Sequence, residues 1–91
     1  MIDDPVPPAL AVALQYDRDE DSAPRVVAKG RGHVAAQIVA LAEENDIVIE
    51  ANPLLAEALS KVELDDTIPL ELYEAVAIII GFILRQSRQG Q

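Results

Sequence analysis

The unbroken apolar run Ala75–Leu84 (AVAIIIGFIL) constrains the fold more than any other stretch of the chain. A membrane span needs about 20 apolar residues, and Glu71, Glu74 and Arg85 bound this run too closely for that. It must therefore be a helix of the protein interior. Upstream, Thr67-Ile68-Pro69 supplies a start, because proline is tolerated in the first turn where its missing N–H has no partner to lose. Asp65, Asp66 and Glu71 lie near the positive end of the helix dipole, and Arg85 and Arg88 near the negative end. Helical spacing puts Tyr73, Val76, Ala77, Ile80 and Leu84 on one face and Ile78, Ile79 and Phe82 on another. Such a helix is either covered on both sides or shows an apolar patch to a partner.

The remaining segments supply what this helix packs against. From Leu10 the residues alternate: Leu10, Val12, Leu14 and Tyr16 face one way, Ala11, Ala13 and Gln15 the other. That is strand periodicity with one bulky face and one small one. Asp17–Pro24 is a charged loop, and Arg25–Lys29 (RVVAK) is a second short strand ended by Gly30 and Gly32. The two are expected to pair antiparallel. Gly32–Asn45 changes to helical spacing, with Val34, Ile38, Leu41 and Ala42 as its apolar stripe. Ile47–Glu50 reads as a third strand, giving a right-handed parallel crossover from Arg25. Asn52-Pro53 then opens a helix as N-cap and first helical residue, with Leu55, Ala58, Leu59 and Val62 on its buried side. The expected fold is α/β, a small three- to four-stranded mixed sheet flanked by three or four helices in a single compact domain. Residues 1–8 are expected to be a flexible lead-in, 9–88 the domain, and 89–91 a disordered tail.

Charge and residue types exclude several functions. A net charge of −9 opposes nucleic-acid phosphates and anionic membrane surfaces. The chain has no cysteine, which removes disulfides and thiolate chemistry. His33 is the single histidine and no carboxylates stand at ligand spacing from it, so no metal site is expected. Ser22, Ser60 and Ser87 are scattered, without a base beside any of them. The glycines of Lys29–Gly32 (KGRG) match neither the P-loop nor the dinucleotide fingerprint, so no cofactor is expected. Met1–Pro8 carries no basic start or apolar run, which reads as a cytoplasmic protein. Within an acidic chain, Arg25, Lys29 and Arg31 form one small basic cluster.

Four stretches stand in order along the chain: Ala11–Asp17 (AVALQYD), Ser22–Gly30 (SAPRVVAKG), Glu50–Leu59 (EANPLLAEAL) and Ile68–Ala77 (IPLELYEAVA). Together they resemble the cytoplasmic C-terminal domain of the FlhB/YscU family of flagellar and type III secretion export-apparatus switch proteins. The resemblance implies a small mixed sheet surrounded by helices, following a membrane-embedded part in the full-length family. It also implies self-cleavage at an Asn-Pro-Thr-His motif, in which the Asn side-chain amide attacks its own carbonyl. In this sequence Val6, Pro7, Pro8 and Ala9 stand at those positions. Valine has no such nucleophile, so the chain is expected to have no enzymatic activity.

The resemblance further implies a protein-interaction domain of the export apparatus, like the cleaved C-terminal fragment of the substrate-specificity switch. Its expected partners are the cytoplasmic part of the large membrane gate protein, the length-control ruler, or export substrates. It implies a cytoplasmic location at the inner-membrane export gate, without nucleic acid and without membrane insertion. The expected binding residues are Arg25, Lys29 and Arg31, with the segment holding Asn52, Pro53 and Glu57. The alternative is a small cytoplasmic adaptor or regulator that keeps the fold and has no role in secretion.

Overall fold

In the computed structural model, residues 9–16 and 23–89 are described, with side chains described as far as Arg85. The expected lead-in over residues 1–8 and most of the charged loop after Tyr16 lie outside the described residues. Two strands, β1 (Leu10–Gln15) and β2 (Arg25–Arg31), are followed by three helices: α1 (His33–Glu44), α2 (Pro53–Leu59) and α3 (Leu70–Gln89). β1 and β2 pair antiparallel from Leu10↔Arg31 to Gln15↔Arg25, with a register shift after Ala13. The shift leaves Val27 unpaired between Ala28 and Val26, the geometry of a bulge.

The expected three- to four-stranded mixed sheet is therefore a two-stranded antiparallel one among the described residues. Ile47–Glu50 forms no strand, and Ile47, Val48 and Ile49 are exposed. Two observations account for this. First, Ile47 is taken up in closing α1. Its N–H donates to Ala42 O at 2.9 Å and the Asp46 N–H to Glu43 O at 3.3 Å, a Schellman closure. Asp46 holds the left-handed position, φ 59°, where glycine is usual. Second, the outer edge of β2 already has a neighbour. Asp65 N–H donates to Val26 O (2.7 Å), Val26 N–H to Asp66 O (3.0 Å) and Ile68 N–H to Pro24 O (2.9 Å). Thr67 bridges Arg25 in antiparallel fashion, so the polar link between α2 and α3 fills the place of a third strand.

The core lies on the bulky side of the hairpin. Val26, Leu59, Ile68 and Val76 are buried together, wrapped by Val12, Leu14, Ala23, Leu55, Val62, Leu72 and Ile80. On the small side α1 packs across both strands, and there the buried residues are Ala11 and Ala35. The buried side of α1 is thus Ala35, Ile38, Val39 and Ala42, one residue round from the expected stripe. Val34 and Leu41 are exposed instead. Small side chains let a helix sit close to a sheet, and close approach reaches the backbone: a β-carbon on Gly30 would stand 2.6 Å from Val34 Cβ.

Candidate functional site

The residues expected to bind a partner do not form one patch. Arg25 and Arg31 occupy opposite ends of β2, roughly 20 Å apart at strand rise. Arg25 is exposed and its Nη2 donates to Gln15 Oε1 at 2.8 Å. Arg31 pairs with Glu57, Nη2 to Oε2 at 3.0 Å, with both side chains more than half exposed. Lys29 is half-buried and has a local role: its ammonium donates to Ser60 O (2.9 Å) and Val62 O (2.7 Å) at the C-terminal end of α2. Asn52 caps α2, its Oδ1 accepting from the Leu55 N–H at 3.1 Å, and Pro53 is the first helical residue, as expected. The structure therefore brings Lys29, Arg31 and Glu57 together against α2 and leaves Arg25 apart. A shallow hollow of about 290 Å³ beside them is lined by Leu10, Lys29, Gly30, Arg31 and Ser60. Val6, Pro7 and Pro8 lie outside the described residues; Ala9 is exposed and its carbonyl accepts from the Gly32 N–H at 3.1 Å.

A second concavity carries none of these residues. Tyr16 at the end of β1, Pro24 before β2, and Tyr73, Ala77, Ile80, Gly81 and Leu84 of α3 enclose about 150 Å³. Pro24 is fully buried, its carbonyl held by the Ile68 N–H, so this wall is fixed to the start of α3. The opposite wall comes from helical spacing: Tyr73, Ala77, Gly81 and Leu84 fall along one flank. Ala77 and Gly81, one turn apart, make the depth, because bulkier side chains there would fill it. A β-carbon on Gly81 would meet only Arg85 Nη1, at 3.7 Å. Tyr73, expected in the core, instead stands at the rim with Tyr16, both about two-fifths exposed. The sequence held one sign of this hollow, the small pair Ala77 and Gly81 inside a bulky run, but not the Tyr16–Pro24 wall opposite it.

The chemistry available is adhesion. The lining is apolar apart from two phenol hydroxyls, which suits one inserted aliphatic or aromatic side chain. His33 opens α1 as an exposed residue. Among the described residues no three metal-ligating side chains converge, and no helix is long and apolar enough to cross a membrane.

Comparison with known proteins gives a consistent set of likenesses. Residues 6–83 match the model of the FlhB HrpN YscU SpaS Family. The Bacillus subtilis protein YlqH is 45% identical over 75 residues, covering 82% of this chain and 81% of that protein. The Bacillus subtilis flagellar biosynthetic protein FlhB is 36% identical over 84 residues, covering 91% of this chain and 23% of FlhB. The chain thus spans under a quarter of that relative's length. Among solved structures, the cytoplasmic domain of FlhB from Shewanella putrefaciens superposes with a TM-score of 0.77 at 39% identity. That match covers 82% of this chain and 61% of the FlhB chain.

Proposed function

The chain belongs to the FlhB HrpN YscU SpaS family, and from that membership we propose that it is a non-enzymatic protein-interaction domain of the flagellar or type III export apparatus. It acts there as a counterpart of the switch protein's C-terminal fragment. Its partner is an export substrate, the length-control ruler or the cytoplasmic part of the large membrane gate protein. The observation that carries this reading is the apolar hollow between Pro24 and α3. A volume of about 150 Å³ matches an engineered apolar cavity that takes up benzene. One leucine, isoleucine or phenylalanine side chain of a partner fills such a space. The rim tyrosines combine an apolar body with a hydroxyl, a pairing enriched at protein interfaces. Arg25, next in sequence to Pro24 and exposed, adds a charge that orients an acidic partner.

The reading includes an intact backbone. Val6 offers no side-chain amide to attack the following peptide bond, and Ala9 offers no imidazole. Intact mass after days at neutral pH should remain that of the whole chain; fragments split between Val6 and Pro7 would refute this part.

Binding is tested by titrating the three partner classes from the same organism onto the wild type and onto Ala77→Asp. Ala77 is exposed, so the fold should survive while a carboxylate enters the hollow. Burying that charge against an apolar side chain should weaken binding by at least ~10-fold. Failure of all three partner classes to bind, or equal affinity for the variant, would overturn the proposal.

A further inference from the structure

We propose that the outward face of α3 pairs two copies of this chain as an antiparallel homodimer, an inference that holds whether or not the export reading does. With about 3.6 residues per turn, α3 divides into sectors. Val76 and Ile80 look into the core, and the hollow takes the flank through Tyr73, Ala77 and Leu84. On the side away from the core, Glu71, Glu74, Ala75, Ile78, Phe82 and Arg85 form one exposed stripe. Ile78 is 66% exposed and Phe82 53%, which is costly for large apolar side chains one turn apart on a rigid helix.

The order of charges along this stripe selects the occupant. Acids stand at its N-terminal end, apolar residues in the middle and a base at its C-terminal end. Ile78 is equidistant in sequence from Glu71 and Arg85. A two-fold axis at Ile78 therefore sets Glu71 of each copy against Arg85 of the other, and Ile78 against Ile78. Self-complementarity of this kind is what an isologous interface requires. A parallel pairing would place acid on acid and base on base. A net charge of −9 opposes indiscriminate self-association, so only this arrangement offers opposite charges to both ends. The stripe is narrow and falls in the small class of interfaces, so the dimer is weak and reversible, with a Kd on the order of tens of micromolar.

Sedimentation equilibrium of the whole chain from ~10 µM to ~1 mM spans that Kd. The weight-average mass should rise from 9.8 kDa towards twice that value. Glu71→Arg and Arg85→Glu should each stay monomeric, because each places like charges at both ends of the interface. Mixed in equal amounts, the two variants should dimerise again. In the mixed pair both arginines belong to one copy and both glutamates to the other, so each end of the interface again joins opposite charges. Recovery on mixing also excludes misfolding as the cause of the single losses, and circular dichroism of each variant checks this directly. The proposal is overturned by a wild type that stays at 9.8 kDa throughout. It is overturned equally by single variants that dimerise like the wild type, or by a mixture that stays monomeric.

Discussion

Replacing Lys29 with methionine tests whether this residue holds the fold or serves a surface. Methionine keeps the unbranched stem and removes the ammonium, so packing along β2 is preserved while both hydrogen bonds, to Ser60 O and Val62 O, are lost. A hydrogen bond to a charged group contributes about 1.5–3 kcal/mol when buried. Lys29 is half-buried, and water can reach part of the freed carbonyls. Half the buried value for each bond gives about 1.5–3 kcal/mol in total. That is a large share of the stability of a domain this size, roughly 5–10 kcal/mol. In urea, with a slope near ~1 kcal/mol per molar for so small a chain, the midpoint should fall by about 1.5–3 M. Lys29→Arg should recover part of the loss, since it keeps the charge but presents a planar fork in place of a compact ammonium. A loss under ~0.5 kcal/mol, the level of an ordinary surface change, would refute the reasoning. Lys29 would then belong with the exposed charges available to a partner.

Three further substitutions probe other parts of the framework. Gly30→Ala should cost about 1–3 kcal/mol through collision with Val34, read as a lower Tm, and adding Val34→Ala should restore part of it. Asp46→Gly should stabilise by about 0.5 kcal/mol, because the left-handed closure of α1 suits glycine better than aspartate; a lower urea midpoint would contradict the Schellman assignment. Asn52→Ala should cost about 1 kcal/mol by releasing the Leu55 N–H at the start of α2, with Asn52→Ser close to neutral in the same denaturation assay.

Much of the fold is legible in the sequence because periodicity and caps are local signals. The alternation from Leu10 marks β1 with its bulky and small faces, and Asn52-Pro53 marks the start of α2. Thr67-Ile68-Pro69 places the start of α3 at Leu70. What is not legible depends on competition between distant segments. Ile47–Glu50 has strand composition, but Asp65–Ile68 occupies the edge of β2 and Ile47 closes α1. Nothing in Leu64-Asp65-Asp66-Thr67 alternates like a strand, so its place beside Arg25 has no sequence signal. The buried side of α1 lies one position from the stripe of large residues, because the contact with the hairpin runs through the small ones, Ala11 and Ala35. The basic cluster is compact in sequence but not in space. A strand separates neighbours by about 3.3 Å per residue, and Lys29 is committed to the end of α2.

The apolar run in α3 has a single physical origin for both of its surfaces. α3 packs on one layer only, the bulky side of the hairpin with α2, because α1 lies on the opposite side of the hairpin, and one layer covers about half of a helix. Val76 and Ile80 use that half. The residues beyond it must be polar, or enclose a hollow, or face solvent. Here the polar choice is confined to the ends, at Glu71, Glu74 and Arg85, so the middle of the helix holds the other two outcomes side by side. Exposing Ile78 and Phe82 on a lone domain invites aggregation, and the charge of −9 offsets this by repulsion between copies. Gly81 lines the hollow and lies about 60° round the helix from Ile78 at ~100° per residue, so it belongs to the hollow and not to the outward stripe. A bulky residue there would fill the hollow and leave the stripe of Ile78 and Phe82 as it is, so the small size of this position serves the hollow. The proposed insertion of a partner side chain and the proposed self-pairing therefore draw on adjacent but separate sectors of α3.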